Sequence, residues 1–249
     1  MTNIGVFDSG LGGLTVLNEL AKKKPANYYY LGDSKRAPYG SRDSSEIINF
    51  ADEIVRFLEK YDIDQYVIAC NTISVLATDY LAKKYDKDFI PITQAGIESA
   101  KDYDGSFLVL GTDTTINSHY YKDKLSEIKD NKIYEMAASE LAGLIEKGET
   151  KGELLDYYLN KYLKLANDKK ISNILLACTH YPIIENAIKE NLNYEARIIN
   201  PATNIAHNIS NTSNDSLKVK IYMTELGKES KRIIDEIMKV PYDLELKEI

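Results

Sequence analysis

The sequence lacks tryptophan altogether, and it has only two cysteines and three histidines in 249 residues. So few thiols exclude a disulfide-stapled scaffold, which needs several bridges in a short chain. Cys70 and Cys178 also stand far apart, so the C-x-x-C spacing of a thioredoxin-like redox pair is missing. Two Cys and three His supply too few well-spaced zinc ligands, and Cys178-Thr179-His180 is no standard ligand pair. No apolar run approaches the ~18 residues of a membrane span, so no membrane partner is expected. The opening MTNIGVFDSG has no basic segment, extended apolar core or cleavage site. It does not read as an export signal, and a reducing cytoplasmic setting is expected, one that disfavours a disulfide. Positive charge is in short supply: 31 Lys and Arg against 38 Asp and Glu leave a net charge of -7. That balance argues against a nucleic-acid partner. No glycine run matches G-x-G-x-x-G or G-x-x-x-x-G-K-[ST], so a nucleotide site is not favoured.

What is present is the alternation of an α/β protein. Short apolar runs predict strands at 4–7, 28–31, 66–69, 89–92, 107–110, 133–136, 174–177, 196–199 and 219–223. Segments with helical spacing lie between them, among others 44–60, 73–84, 154–167 and 183–191. Strands separated by helices of this length indicate βαβ units and parallel sheets. The spacing divides into two similar α/β domains with mainly parallel sheets and an interdomain active-site cleft. Residues 1–93 plus 205–249 form the first, carrying Cys70; residues 94–204 form the second, carrying Cys178. The last strand, in KVKIYMT, alternates in polarity and is expected toward a sheet edge.

Both cysteines end an apolar run, in VIACNT and LLACTHYP. In open α/β sheets ligands sit outside the carboxyl ends of strands. Asn71 or Thr72 is expected to cap a helix starting near Ile73, and Pro182 suits a first helical position. Thiols at helix N-termini have their thiolates favoured, so both cysteines are expected to act as bases near neutrality. A single strand-end cysteine is most often just buried. Two matched ones, each followed by hydrogen-bonding residues, point to chemistry.

The other polar stretches suit a small anionic ligand. FDSGLGG places Asp8 and Ser9 at a strand end, GDSKRAPYGSR supplies Tyr39 in a loop, and GTDTT adds hydroxyls. Asp8 and His180 are candidates to share protons with a nearby thiol or with substrate. Glu146, in ELAGLIEKGE, reads by default as a surface carboxylate at a helix end. His119 and His207 read as structural or solvent-facing. The residues alone leave open a proton-transfer enzyme, a cysteine hydrolase using Cys178 with His180 and Asp8, and a non-catalytic amino-acid-binding module.

The segments GVFDSGLGG, LGDSKRAPYG, IACNT, GTDTTINS and LACTHYP, in this order, resemble glutamate racemases of the aspartate/glutamate racemase superfamily. The resemblance implies cofactor-independent interconversion of L-glutamate and D-glutamate, supplying D-glutamate for peptidoglycan, in an enzyme that commonly forms homodimers. It implies no metal and no pyridoxal phosphate. By motif, Cys70 and Cys178 correspond to the two catalytic acid/bases, Asp8 to the carboxylate associated with the first and His180 to the imidazole associated with the second. Ser9, Tyr39, Gly40, Asn71, Thr72, Thr115 and Thr179 match substrate contacts, and Glu146 matches an acidic position near the site. Two departures stand out: ASELAG before Glu146, and Asn200 where many members carry aspartate. Aspartate or another amino acid is the alternative substrate.

Overall fold

The computed structural model describes residues 2–210 and 216–249. The chain opens with β1 (Asn3–Asp8), α1 (Leu14–Lys23), β2 (Asn27–Gly32) and α2 (Ser44–Leu58). Then come β3 (Gln65–Ile68), α3 (Asn71–Tyr85), β4 (Asp88–Pro91) and α4 (Ile92–Ala100). The next run holds β5 (Ser106–Gly111), α5 (Asp113–Asn117), α6 (Tyr120–Ile128), β6 (Lys132–Ala137), α7 (Ser139–Glu146) and α8 (Glu153–Lys169). It continues with β7 (Asn173–Ala177), α9 (Glu185–Glu190) and β8 (Arg197–Ile199). The final elements are β9 (Lys218–Met223), α10 (Ser230–Ile237) and β10 (Asp243–Leu246).

The strands form two sheets, ordered β10-β9-β2-β1-β3-β4 and β6-β5-β7-β8. Every pairing is parallel. Parallel sheets are covered on both faces, which explains why their strands read as near-continuous apolar runs. In β1, Ile4 and Val6 join one core with Leu14 and Leu17 of α1, while Phe7 enters another with Ile54 of α2 and Ile73 of α3. In β5, Leu108 and Leu110 face Leu159 and Leu163 of α8, and Phe107 and Val109 face Tyr121 and Leu125 of α6. Two-sided burial thus follows from period-2 alternation.

The order β2-β1-β3-β4 recurs as β6-β5-β7-β8, so the halves share one topology. In each, the crossovers turn to opposite sides between the first strand and the third, which opens a crevice at the carboxyl ends. The helix α4 spans the expected join at 93/94: Ile92 and Ala95 pack with the first sheet's core, Ala100 with the second's. Beyond β8, Ala202, Ile205 and Ala206 pack against the first sheet's core again. Of the expected 205–249 segment, 211–215 lie outside the described residues.

Two local expectations need correction. KVKIYMT lies toward a sheet edge, as expected, without forming it: β9 lies between β2 and β10. The edge is β10, the short and mostly exposed strand DLEL, which carries no apolar run to announce it. The helix after Cys70 starts at Asn71, two residues earlier than expected, with Cys70 itself in the extended capping position. Pro182 lies in the 3-10 turn Tyr181–Ile184, which leads into α9.

Candidate active site

The four strands at the two crevices, β1, β3, β5 and β7, each have a polar residue or thiol at or just beyond their carboxyl end. Asp8 closes β1, Cys70 follows β3, Thr112 follows β5 and Cys178 follows β7. Cys70 and Cys178 line one small, nearly shut cavity together with Ser9, Tyr39, Gly40, Asn71, Thr72, Thr179 and His180. Both thiols are free and buried. A larger groove of about 750 Å³ runs outside this cavity and meets it at Pro38; Lys35, Lys147 and Lys228 line the groove, but neither thiol does.

The thiols have unlike neighbours. The Cys178 sulfur lies 3.6 Å from His180 Nδ1. On its other edge His180 Nε2 is 2.5 Å from Glu146 Oε1, which also accepts the Leu11 N–H at 2.7 Å. Glu146 sits on α7 of the second half and Leu11 in the glycine turn of the first, so this carboxylate ties the halves together. The glycines of this turn allow a close approach of the two halves. A Cβ on Gly10 would stand 1.9 Å from Glu146 Oε1, and one on Gly12 would stand 2.6 Å from His180 Nδ1. Cys70 is hydrogen-bonded to the Ser9 hydroxyl at 3.7 Å, a separation ordinary for sulfur.

Asp8 is completely buried; its hydrogen bonds run to the Gly10 turn and to Thr179 beside Cys178, while its charge also bears on Cys70. Its Oδ1 accepts the Gly10 N–H at 2.9 Å, and its Oδ2 accepts the Thr179 hydroxyl at 3.0 Å. Hydroxyls bridge the halves elsewhere as well: Thr72 and Thr112 lie 2.8 Å apart, with Thr115 3.0 Å beyond Thr112. The Gly40 carbonyl accepts both the N–H and the hydroxyl of Thr114. Tyr39 lines the cavity, and its hydroxyl donates to Asp33.

Electrostatics separate the two thiols further. Burial pushes the Cys70 thiol up to about 12; the Asp8 and Cys178 charges add to this, and the Ile73 amide and Ser9 only partly offset it. The expectation of a base poised near neutrality fails for Cys70: the capping amides are present, but desolvation outweighs them. Burial acts to lower the pKa of His180, yet its hydrogen bonds to Cys178 and Glu146 and their charges raise it well above the ordinary imidazole value. Burial likewise raises Asp8, against the opposing His180 charge and the bonds from Gly10 and Thr179. Cys178 thus faces an imidazole whose charged form is favoured, while the setting of Cys70 favours its neutral thiol.

A family profile described as Asp/Glu/Hydantoin racemase matches residues 7–208. The chain belongs to that family. A "Glutamate racemase 3" of Caldanaerobacter subterraneus is 38% identical over 237 residues, covering 90% of this chain and 86% of the relative. Among solved structures, a glutamate racemase isoform from Bacillus anthracis superposes with a TM-score of 0.90 at 27% identity, over 100% of this chain and 98% of the other. The Francisella tularensis glutamate racemase, solved with D-glutamate, gives 0.87 at 27% identity, over 99% of this chain and 97% of the other. The resemblance read from five short motifs is therefore borne out along nearly the whole chain.

Within this racemase-family site, Asp8, Thr115 and Glu146 stand one layer behind the cavity wall, each bonded to a residue that lines it. The default surface reading of Glu146 is corrected: its side chain is largely buried between His180 and Leu11. Pro38, Thr112 and Ala142 line the cavity without having been singled out. Thr112 carried a signal, since GTDTT follows β5 as FDSG ends β1; Ala142 carried none.

Proposed function

We propose that this chain interconverts L-glutamate and D-glutamate without a cofactor, by proton transfer between two thiols on opposite faces of the α-carbon. The observation that carries this reading is the pair of buried thiols in one cavity with unlike neighbours, His180 beside Cys178 and Ser9 beside Cys70. Inverting a carbon centre needs a proton to leave one face and another to arrive on the other. With L-glutamate, the Cys178 thiolate beside the His180 imidazolium takes the α-proton, and the neutral Cys70 thiol delivers its own to the opposite face. Turnover leaves Cys178 protonated and Cys70 as thiolate, the state that accepts D-glutamate for the reverse reaction. Positioned acid and base groups supply ~10²–10⁴-fold, so alignment and preorganised donors around the developing charge must supply the rest. Ser9, Tyr39, Gly40, Asn71, Thr72 and Thr179 are assigned to the substrate, and Asp8 holds Thr179 in place. The cavity has room for about one water molecule, so the halves must part to admit glutamate and close to exclude solvent.

Residues 1–93 plus 205–249 and residues 94–204 are assigned as the two units that part, with α4 at their join. The sheet memberships support this division. A cytoplasmic homodimer that feeds peptidoglycan synthesis completes the proposal; no helix among the described residues is long and apolar enough to cross a membrane. One observation favours a second reading: Cys178, His180 and Glu146 touch in series, as in a cysteine hydrolase. Such an enzyme forms an acyl-thiol and has no use for Cys70. The test is a panel of L- and D-glutamate and L- and D-aspartate in deuterium oxide. Glutamate should gain α-deuterium and lose optical rotation, with aspartate far slower. Faster exchange of aspartate would replace the substrate, and absence of exchange from all four would reject the reaction.

A further inference from the structure

Asn71 opens α3 and lines the thiol cavity, with its side chain 3% exposed. Its Oδ1 accepts a hydrogen bond of 2.6 Å from the hydroxyl of Tyr121, which lies on α6 of the opposite half and is 1% exposed. Its Nδ2 is buried and makes no hydrogen bond. A buried unpaired amide donor is costly, so its place at a ligand cavity calls for an acceptor from outside the protein. We propose that Tyr121 is a positioning residue, whose hydroxyl fixes the Asn71 amide so that Nδ2 rather than Oδ1 is presented to a carboxylate of the substrate.

The argument is one of donors and acceptors. A side-chain amide has a donating end and an accepting end of nearly the same shape, and only its partners choose between them. The Tyr121 proton needs an acceptor, and Asn71 Oδ1 takes it. Burial raises the phenol well above its ordinary value, so that proton stays in place at any working pH. With Oδ1 held, the NH₂ group is what remains for the ligand. Glutamate's carboxylates are acceptors only, so an inverted amide would set oxygen against oxygen. The hydroxyl is also fixed in space: a Cβ on Gly96 of α4 would lie 2.6 Å from it, so only glycine admits the phenol there. Because Asn71 and Tyr121 come from opposite halves, the lock forms only when the halves are closed.

This inference rests on the glutamate reading, and its test separates the two. Calorimetric binding of D-glutamate and racemisation kinetics are measured for wild type, Tyr121→Phe, Asn71→Ala and the double variant. Tyr121→Phe keeps the ring and removes only the hydroxyl. It should weaken glutamate binding about tenfold, from the cost of a misdirected buried amide. KM should rise by that factor in both directions with kcat nearly unchanged, because the grip is the same in ground and transition states. In the Asn71→Ala background the same change should have no further effect on binding, and melting temperatures should follow neither loss. Equal affinity of Tyr121→Phe and wild type, or an undiminished effect in the Asn71→Ala background, would overturn the positioning role. Wild type that binds glutamate with this cycle intact but does not racemise it would sink the reaction and leave the lock standing. Wild type that binds no glutamate would overturn both.

Discussion

Replacing His180 by Asn removes the imidazolium from the Cys178 sulfur while keeping a side chain of similar reach. At the 3.6 Å separation of Nδ1 and Sγ, a full ion pair is worth about 5 kcal/mol for an effective dielectric of ~20. That is an upper bound, because forming the pair also desolvates both groups. The lower bound is the net value of a charge-assisted hydrogen bond, about 1.5–3 kcal/mol. The loss of kcat/KM should therefore lie between roughly 10- and 5 × 10³-fold, with ~10²-fold expected. Enantiomers have equal free energies, so kcat/KM must fall by the same factor from L- and from D-glutamate. Circular dichroism of the substrate follows both directions in one cuvette, and a thermal melt of the same sample reports folding. Activity within threefold of wild type would refute the role of the imidazolium. A loss matched by a melting temperature below the assay temperature would reassign His180 to folding.

Glu146→Gln keeps an acceptor for the Leu11 amide but removes the charge that helps raise His180. The alkaline limb of the kcat/KM profile, where the imidazolium is lost, should therefore move to lower pH; an unmoved limb contradicts the relay. The same raised value links to stability: the His180 contribution is complete below about pH 6.5, the unfolded value, and is lost as pH rises through the folded one. Glu146→Gln should shorten that window in pH-dependent melts. In a Cys178→Ser background, iodoacetamide should alkylate Cys70 at a rate still rising tenfold per pH unit through pH ~10, given a thiol near 12. A plateau near pH 9 would mean an ordinary thiol, and adding Asp8→Asn should shift the rise to lower pH by removing a neighbouring negative charge. Gly10→Ala drives a methyl group into Glu146. It should cost about 1–3 kcal/mol of stability in denaturant titration and at least ~10-fold in kcat/KM; an unaffected enzyme would show the turn to be looser than described.

Much of the architecture is legible because parallel strands must be apolar on both faces. Runs such as IGVF and LLA therefore mark β1 and β7 to within a residue or two of their observed ends. DLEL in β10 escapes notice because an edge strand has one neighbour and no need of burial. The two thiols and the hydroxyl-rich strand ends are visible as motifs, since each follows its strand directly. Glu146 is visible only through the family resemblance: by its own helix it reads as a surface carboxylate, because its partners are 34 and 135 residues away. The pKa of Cys70 fails for a related reason. Sequence shows the amides of the coming helix, whereas the desolvation that overrides them comes from residues distant in the chain, such as Phe7, Leu31 and Tyr39, which pack in the same core as the sulfur.

The central claim is that two different thiols serve the two faces of one carbon. It is tested most directly with L-glutamate deuterated at the α-carbon, in ordinary water, analysing the D-glutamate formed in the first few per cent of conversion by mass spectrometry. If Cys178 removes the deuterium and Cys70 supplies a solvent-derived proton, that first D-glutamate carries protium at the α-carbon. D-glutamate that retains the substrate's deuterium would mean one base working on both faces, and the two-thiol account would be wrong.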